Sequence, residues 1–146
     1  MPRSIRLHQW WQDTVEYGWE TLESLFGQTQ WAGRYRSAPT AAPPRSVTRA
    51  KLLDLTPEQR VALALELVPI DNSEIEIWVR VYPVQSQVYL PENLKLSILD
   101  EMGIEVIHAE ARSTEEIQVK FIVDLGEMFG VRVALGEFIM TESFLV

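Results

Sequence analysis

Apolar residues recur at every second position in one run after another from Val47 to Val146. In "SEIEIWVRVYP" the alternation sets Ile75, Ile77, Val79 and Val81 on one face. "NLKLSIL" does so with Leu94, Leu96 and Ile98, and "IQVKFIV" with Ile117, Val119, Phe121 and Val123. "FGVRVAL" aligns Phe129, Val131, Val133 and Leu135, and "FIMTESFLV" aligns Phe138, Met140, Phe144 and Val146. A period of two is that of an extended strand, whose successive side chains point to opposite sides of a sheet. Turn signals separate the runs: "DNS" at Asp71, "EMG" at Glu101, and "LGE" at Leu125 and again at Leu135. Strands spaced about 8–12 residues apart with such punctuation predict a mostly β chain, an immunoglobulin-like antiparallel β-sandwich over residues 47–146.

One run carries competing signals. "LTPEQRVALALEL" has a helix-start pattern in Thr56, Pro57, Glu58 and Gln59. Val61, Leu63, Leu65 and Leu67 then alternate, and a helix would scatter them around its circumference. The strand is the reading adopted, fed by "TPEQ" as a turn. Ala62, Ala64 and Val68 occupy its other face, so this strand is expected to be covered on both sides.

Residues 1–27 read differently. Leu7, Trp11, Val15, Trp19, Leu22 and Phe26 recur at spacings of four and three, and Trp10 and Leu25 widen that stripe. Asp13, Glu16, Glu20 and Glu23 fill the other side. The pattern predicts an amphipathic aromatic helix from about Ser4, a candidate N-cap, to a stop at Gly27. Residues 28–46 form a basic, Pro/Ala-rich linker in which Pro39, Pro43 and Pro44 forbid regular ladders. Trp31 and Tyr35 are unusual in a linker and are expected to lie against a surface.

The net charge of −8 is unevenly spread. Met1–Lys51 holds seven Arg/Lys and four Asp/Glu, for +3; Leu52–Val146 holds six and seventeen, for −11. Arg34, Arg36, Arg45, Arg49 and Lys51 follow one another with no acid between them, a strap expected to fold back on the acidic body or to stay a plain solvated linker, with an acidic partner as the alternative. The acidic body argues against nucleic acid as a partner. With no cysteine, disulfides, thiolate metal sites and cysteine nucleophiles are ruled out. Arg3 and Arg6 imitate the start of a signal peptide, but His8, Gln9, Gln12 and Asp13 interrupt the apolar core that would follow. "VALAL" from Val61 is far short of the ~20 apolar residues that span a bilayer.

The blocks "RAKLLDL", "VALALELVP", "EIEIWVRVYPV", "VYLPENLKLSILDEMG", "EARSTEEIQVKF" and "GVRVALGEFIMTESFLV" resemble the C-terminal part of one family. It is the uncharacterised family called domain of unknown function eighteen twenty-two, found mainly in cyanobacteria. "WWQDTVEYGWETLESLFG" resembles the segment that precedes those blocks. The "YLPENLKL" block and the closing "VALGEF…TESFLV" carry the resemblance furthest. Family members are usually longer at the N-terminus, and "TPEQ" is not their typical connection. The resemblance implies β-strands after Val47 and a bacterial cytoplasmic setting. It also implies a regulatory protein as one candidate partner, since relatives occur near regulatory genes, including those for sigma factors. It carries no catalytic residue across.

No catalytic, cofactor or metal site emerges from the residues. His8 and His108 share no ligand-spaced partner. No G-x-S-x-G elbow or glycine-rich phosphate loop is present. Asp100/Glu101 and Glu115/Glu116 are adjacent pairs that a strand would point to opposite faces. Glu74 and Glu76 share a face, one expected to be solvated, and Asp71 and Asn72 lack a spaced calcium loop. The signal is aromatic. Opposite the apolar face of "EIEIWVRVYP" stand Trp78, Arg80 and Tyr82, residue types enriched where proteins meet. The expected cover for that row is the N-terminal helix. The functional expectation is a non-enzymatic interaction module that docks another protein or a second copy. Its candidate interaction residues are Trp10, Trp11, Trp19, Trp31, Trp78, Arg80 and Tyr82. Two alternatives stand beside it. One is membrane-surface association through the aromatic helix, which the acidic helix face opposes; the other is a small-ligand binder in a helix–sandwich cleft.

Overall fold

The computed structural model describes residues 5–7, 10, 19, 46–56, 59–84, 89–111 and 116–146. Nine strands occur among them: β1 Ile5–Arg6, β2 Val47–Thr56, β3 Gln59–Pro69, β4 Glu74–Pro83, β5 Lys95–Leu99, β6 Glu105–Glu110, β7 Ile117–Asp124, β8 Met128–Leu135 and β9 Phe138–Leu145. They form two sheets, ordered β2-β3-β4-β7 and β1-β9-β8-β5-β6. Every pairing is antiparallel except β1 with β9, which is parallel.

The period-two rows become the inner faces. Ile75, Ile77, Val79 and Val81 of β4 are buried, and each intervening residue is half-buried. Val61, Leu63, Leu65 and Leu67 of β3 join the same core, with Leu96, Ile98, Val131, Val133 and Phe144 from the other sheet. Phe121 of β7 meets Phe129 of β8 edge-on at 5.1 Å, so the two sheets touch face to face. The "VALALEL" run is a strand, and Ala62 and Ala64 on its outer side are buried as well. Burying each such Val, Leu or Ile stabilises by roughly 1.5–3 kcal/mol before ordering costs.

The turns fall where the punctuation sets them. Asp71 Oδ1 accepts the backbone N–H groups of Ser73 (2.8 Å) and Glu74 (2.9 Å), closing the β3–β4 turn. Those hydrogen bonds, with the Ser73 one foremost, hold the Asp71 carboxyl below its usual range. Asp100 Oδ1 accepts from the N–H groups of Met102 (2.8 Å) and Ile104 (3.0 Å) before β6. Gly126, with φ at 92°, turns β7 into β8 through a backbone region that side chains disfavour.

Residues 1–27 depart from the expected helix wherever they are described. Ile5 and Arg6 pair with Phe144 and Leu145 of β9 as a strand. Leu7 and Trp10 sit in 3-10 turns, and Trp19 lies in no regular element. Pairing with an otherwise open strand edge satisfies the backbone of Ile5 and Arg6 without a helix. The rest of that segment, and the linker apart from Ser46, lie outside the described residues.

Candidate functional site

The register of the β2-β3-β4-β7 sheet assembles a polar and aromatic surface on its outer face. Trp78 of β4 stands opposite Glu66 of β3 and Lys120 of β7, and Arg80 opposite Ala64 and Gln118. Trp78 Nε1 donates to Glu76 Oε1 at 3.0 Å. The Arg80 guanidinium lies 4.8 Å from the Trp78 ring centroid and Lys120 Nζ lies 4.9 Å from it. Arg80 in turn donates to Glu66 Oε1 (3.0 Å) and Gln118 Oε1 (3.1 Å). These contacts hold Trp78 and Arg80 in place before any partner arrives, so little rotamer freedom remains to be lost on binding. Trp78, Arg80 and Tyr82 are each half-buried.

Trp10 and Trp19 of the expected N-terminal cover go elsewhere. Trp10 and Trp19 are each 1% exposed and belong to the core. Their rings lie 5.4 Å apart, and both stand edge-on to Phe144, at 6.5 and 5.8 Å. Phe144 stacks on Phe129 at 5.1 Å. Burial in the core suits an indole better than lying across an already hydrogen-bonded outer face, because it removes the whole ring from water. These two tryptophans are therefore inaccessible to a bilayer or to a partner in this conformation. Trp11 and Trp31 lie outside the described residues.

Beside those rings sits a cluster that the sequence reading passed over. Glu142 occupies the inward register of β9 between Met140 and Phe144, where the alternation calls for an apolar residue. Lys51 and Arg49 occupy the inward register of β2, opposite Leu63 and Leu65 of β3. Lys51 Nζ forms an ion pair with Glu142 Oε1, and Trp19 Nε1 donates to Glu142 Oε2 at 2.9 Å. Arg49 donates to the backbone oxygens of Thr48 (2.9 Å) and Trp10 (3.4 Å). Two cations of the basic strap thus meet the body, Lys51 through the carboxylate of Glu142. The available signal was a charge inside an apolar register, with opposite signs on two strands.

A second network lies on the outer face of the other sheet. The register shifts between Ile98 and Leu99, pairing Ile107 and then Glu105 with them, which leaves Val106 unpaired as a bulge. The bulge brings Glu105 within reach of His108, whose Nδ1 is 3.2 Å from Glu105 Oε2. Glu105 Oε1 also accepts from Ser97 Oγ (2.8 Å) and pairs with Lys95 (3.2 Å) and Arg132 (3.3 Å). The Ser97 hydroxyl first, then the Lys95 ammonium, lower the Glu105 carboxyl below its ordinary 4.5. An ionised carboxylate held by four donors is a structural anchor, poorly suited to donate a proton as a general acid. A depressed folded value contributes stability above the unfolded one and loses it as pH falls through the folded one. Glu105→Gln is therefore expected to reduce the acid sensitivity of unfolding, measured by urea titrations between about pH 2 and pH 6. Parallel pH curves for the two proteins would contradict it.

Among the described residues, no three His, Asp or Glu side chains group as metal ligands, and no helix is long and apolar enough to cross a membrane. His8 lies outside the described residues. The sequence profile described as Protein of unknown function (DUF1822) matches residues 2–145. No curated protein and no solved structure matches the chain.

Proposed function

We propose that this chain, which belongs to the DUF1822 family of proteins of unknown function, is a non-enzymatic protein-interaction module. Its docking surface is the outer face of β4 and β7, around Trp78 and Arg80. One observation carries the reading: Trp78 and Arg80 are half-buried, held by Glu76, Glu66 and Gln118, and left uncovered by Trp10 and Trp19. An aromatic ring and a guanidinium, fixed in advance on a rigid sheet, are what dominant contact residues usually consist of. The partner is another protein or a second copy, and a regulatory protein in the cytoplasm is the first candidate.

The finer architecture is read as an immunoglobulin-like sandwich, and the strand order supports it. The order β9-β8-β5-β6 follows the G-F-C-C′ order of such domains, and β3-β4-β7 follows A-B-E, with β2 added outside A. In that frame the Trp78 row stands on the strand equivalent to B, away from the loops at either end.

The test is co-purification from native cells with wild-type protein and with the Trp78→Ala/Arg80→Ala double variant. Loss of about 2 kcal/mol at such contacts corresponds to roughly thirtyfold weaker capture of the same partner. Light scattering on purified protein separates a second copy from a foreign partner. Identical capture and identical mass for both proteins would sink this reading.

A further inference from the structure

Beside the Trp10 ring, Trp19 meets three groups of the sheets that together single out an indole. Its ring meets Phe144 edge-on at 5.8 Å, its Nε1 donates to Glu142 Oε2 at 2.9 Å, and Lys51 Nζ lies 5.9 Å from its ring centroid. An apolar floor, an acceptor for the single ring donor and a cation beside the π-system match no other side chain as well. The acceptor and the cation belong to the frame: Glu142 is fixed in β9 by β8, and Lys51 in β2 by β3. The residue they hold lies 28 positions before the start of β2 in the sequence, and none of the three groups is a sequence neighbour of it.

Two further observations make the present occupant replaceable. Trp10 Nε1 is buried with no acceptor among the described residues, an unmade hydrogen bond that a competing segment need not carry. β1 pairs only Ile5 and Arg6 with β9, although β9 runs over Phe138–Leu145. Among the described residues β1 pairs with the Phe144–Leu145 end of β9, which shows that this side of β9 accepts an extended segment by strand addition. We infer that the β2–β9 edge is a docking site for an extended protein segment carrying a tryptophan. Trp19 closes the site in cis, and such a segment opens it by displacement. The site is separate from the outer-face row, since neither Trp78 nor Arg80 takes part in it.

The test uses the whole 146-residue chain and purified components, so its result is independent of any cellular partner. Trp19→Phe keeps an aromatic ring but removes the donor, and Trp19→Ala vacates the place. The probe is a fluorescent synthetic peptide of residues 5–27 of this chain, with a second peptide carrying Trp19→Phe as control, followed by anisotropy. Both protein variants are expected to bind the probe about tenfold tighter than the wild-type chain, the size of a hydrogen bond to a charged acceptor. The control peptide is expected to bind about tenfold more weakly, and Glu142→Gln in the Trp19→Phe protein to erase that preference. Folding of each variant is checked by circular dichroism. If folded Trp19→Phe protein binds neither peptide, or both alike, Trp19 is a packing residue only. If the wild-type chain binds as tightly as the variants, Trp19 does not close the site.

Discussion

Phe144→Ala is expected to lower the free energy of unfolding by about 4 kcal/mol. Phe144 is fully buried and, among the described residues, links the aromatic cluster: Phe129 by stacking, Trp10 and Trp19 edge-on. Its removal leaves a cavity between two sheets whose backbones are fixed by ladders, so the walls have little freedom to collapse. It also takes the edge partners from two indoles, and aromatic pairs of this kind add about 0.5–1.5 kcal/mol each beyond burial. A domain of this size has about 5–15 kcal/mol in all, so the variant loses a large part of its stability and melts roughly 10 °C lower. Ile139→Ala is the matched control, because Ile139 sits on the same strand facing outward and is largely exposed; it is expected to change stability by less than about 0.5 kcal/mol. Urea titrations followed by tryptophan fluorescence measure both. Comparable losses at the two positions would mean that the cluster is not part of the cooperative core.

The same strand shows how far the fold was legible in the residues and where legibility ended. Alternation in β4, β7 and β8 was sufficient to orient every side chain, because a one-residue slip would have sent the whole apolar row to solvent. Turn chemistry was equally readable: Asp71 and Asp100 cap the backbone two and three or four residues on, and Gly126 takes a positive φ. In β9 and the residue after it the row Phe138, Met140, Phe144 and Val146 was read correctly, but the charge at the same register, Glu142, was stepped over. Its partner on β2 was hidden for a related reason. Arg49 and Lys51 close a run of cations, which suggests a solvated strap, although they also alternate with Val47 and Leu53 on the inner face of a strand.

Other features depended on tertiary information. The spacing of Leu7, Trp11, Val15 and Trp19 fits a helix, yet Ile5 and Arg6 find a strand edge more than a hundred residues away, and no local pattern reports that edge. Glu105 and His108 have opposite parity in an unbroken strand. Only the bulge at Val106 brings them together, and nothing in "GIEVIHAE" announces a bulge. The Trp78–Arg80–Tyr82 row was placed on the outer face correctly, because its position follows from parity alone. Parity does not decide where Trp10 and Trp19 go, and they go to the core.

The largest polar effect is expected at Glu142. Glu142→Leu strips Lys51 of its carboxylate and Trp19 of its acceptor in one step, and is expected to cost about 2–3 kcal/mol. The value falls below the range for fully buried pairs because the Lys51 and Glu142 side chains retain 25% and 15% exposure. Lys51→Met leaves Glu142 with the Trp19 donor still in place and is expected to cost about 1–2 kcal/mol. The double variant Lys51→Met/Glu142→Leu should recover most of the loss, because two apolar side chains replace a pair whose desolvation offsets much of its attraction. A coupling of about 3 kcal/mol in the double-mutant cycle is the expected measure; strictly additive losses would mean that the ion pair contributes nothing. Recovery of stability is not expected to restore behaviour in solution. β2 is an edge strand, and charges pointing inward from an edge oppose its pairing with another copy. With Lys51 gone, that edge loses one of its two inward charges, and the double variant is expected to show a concentration-dependent increase in mass by light scattering. Wild-type protein and Glu142→Leu, which keep Lys51, should not share it while folded. A stable double variant that stays at the wild-type mass would show that the pair is kept for seating Trp19 rather than for guarding the edge.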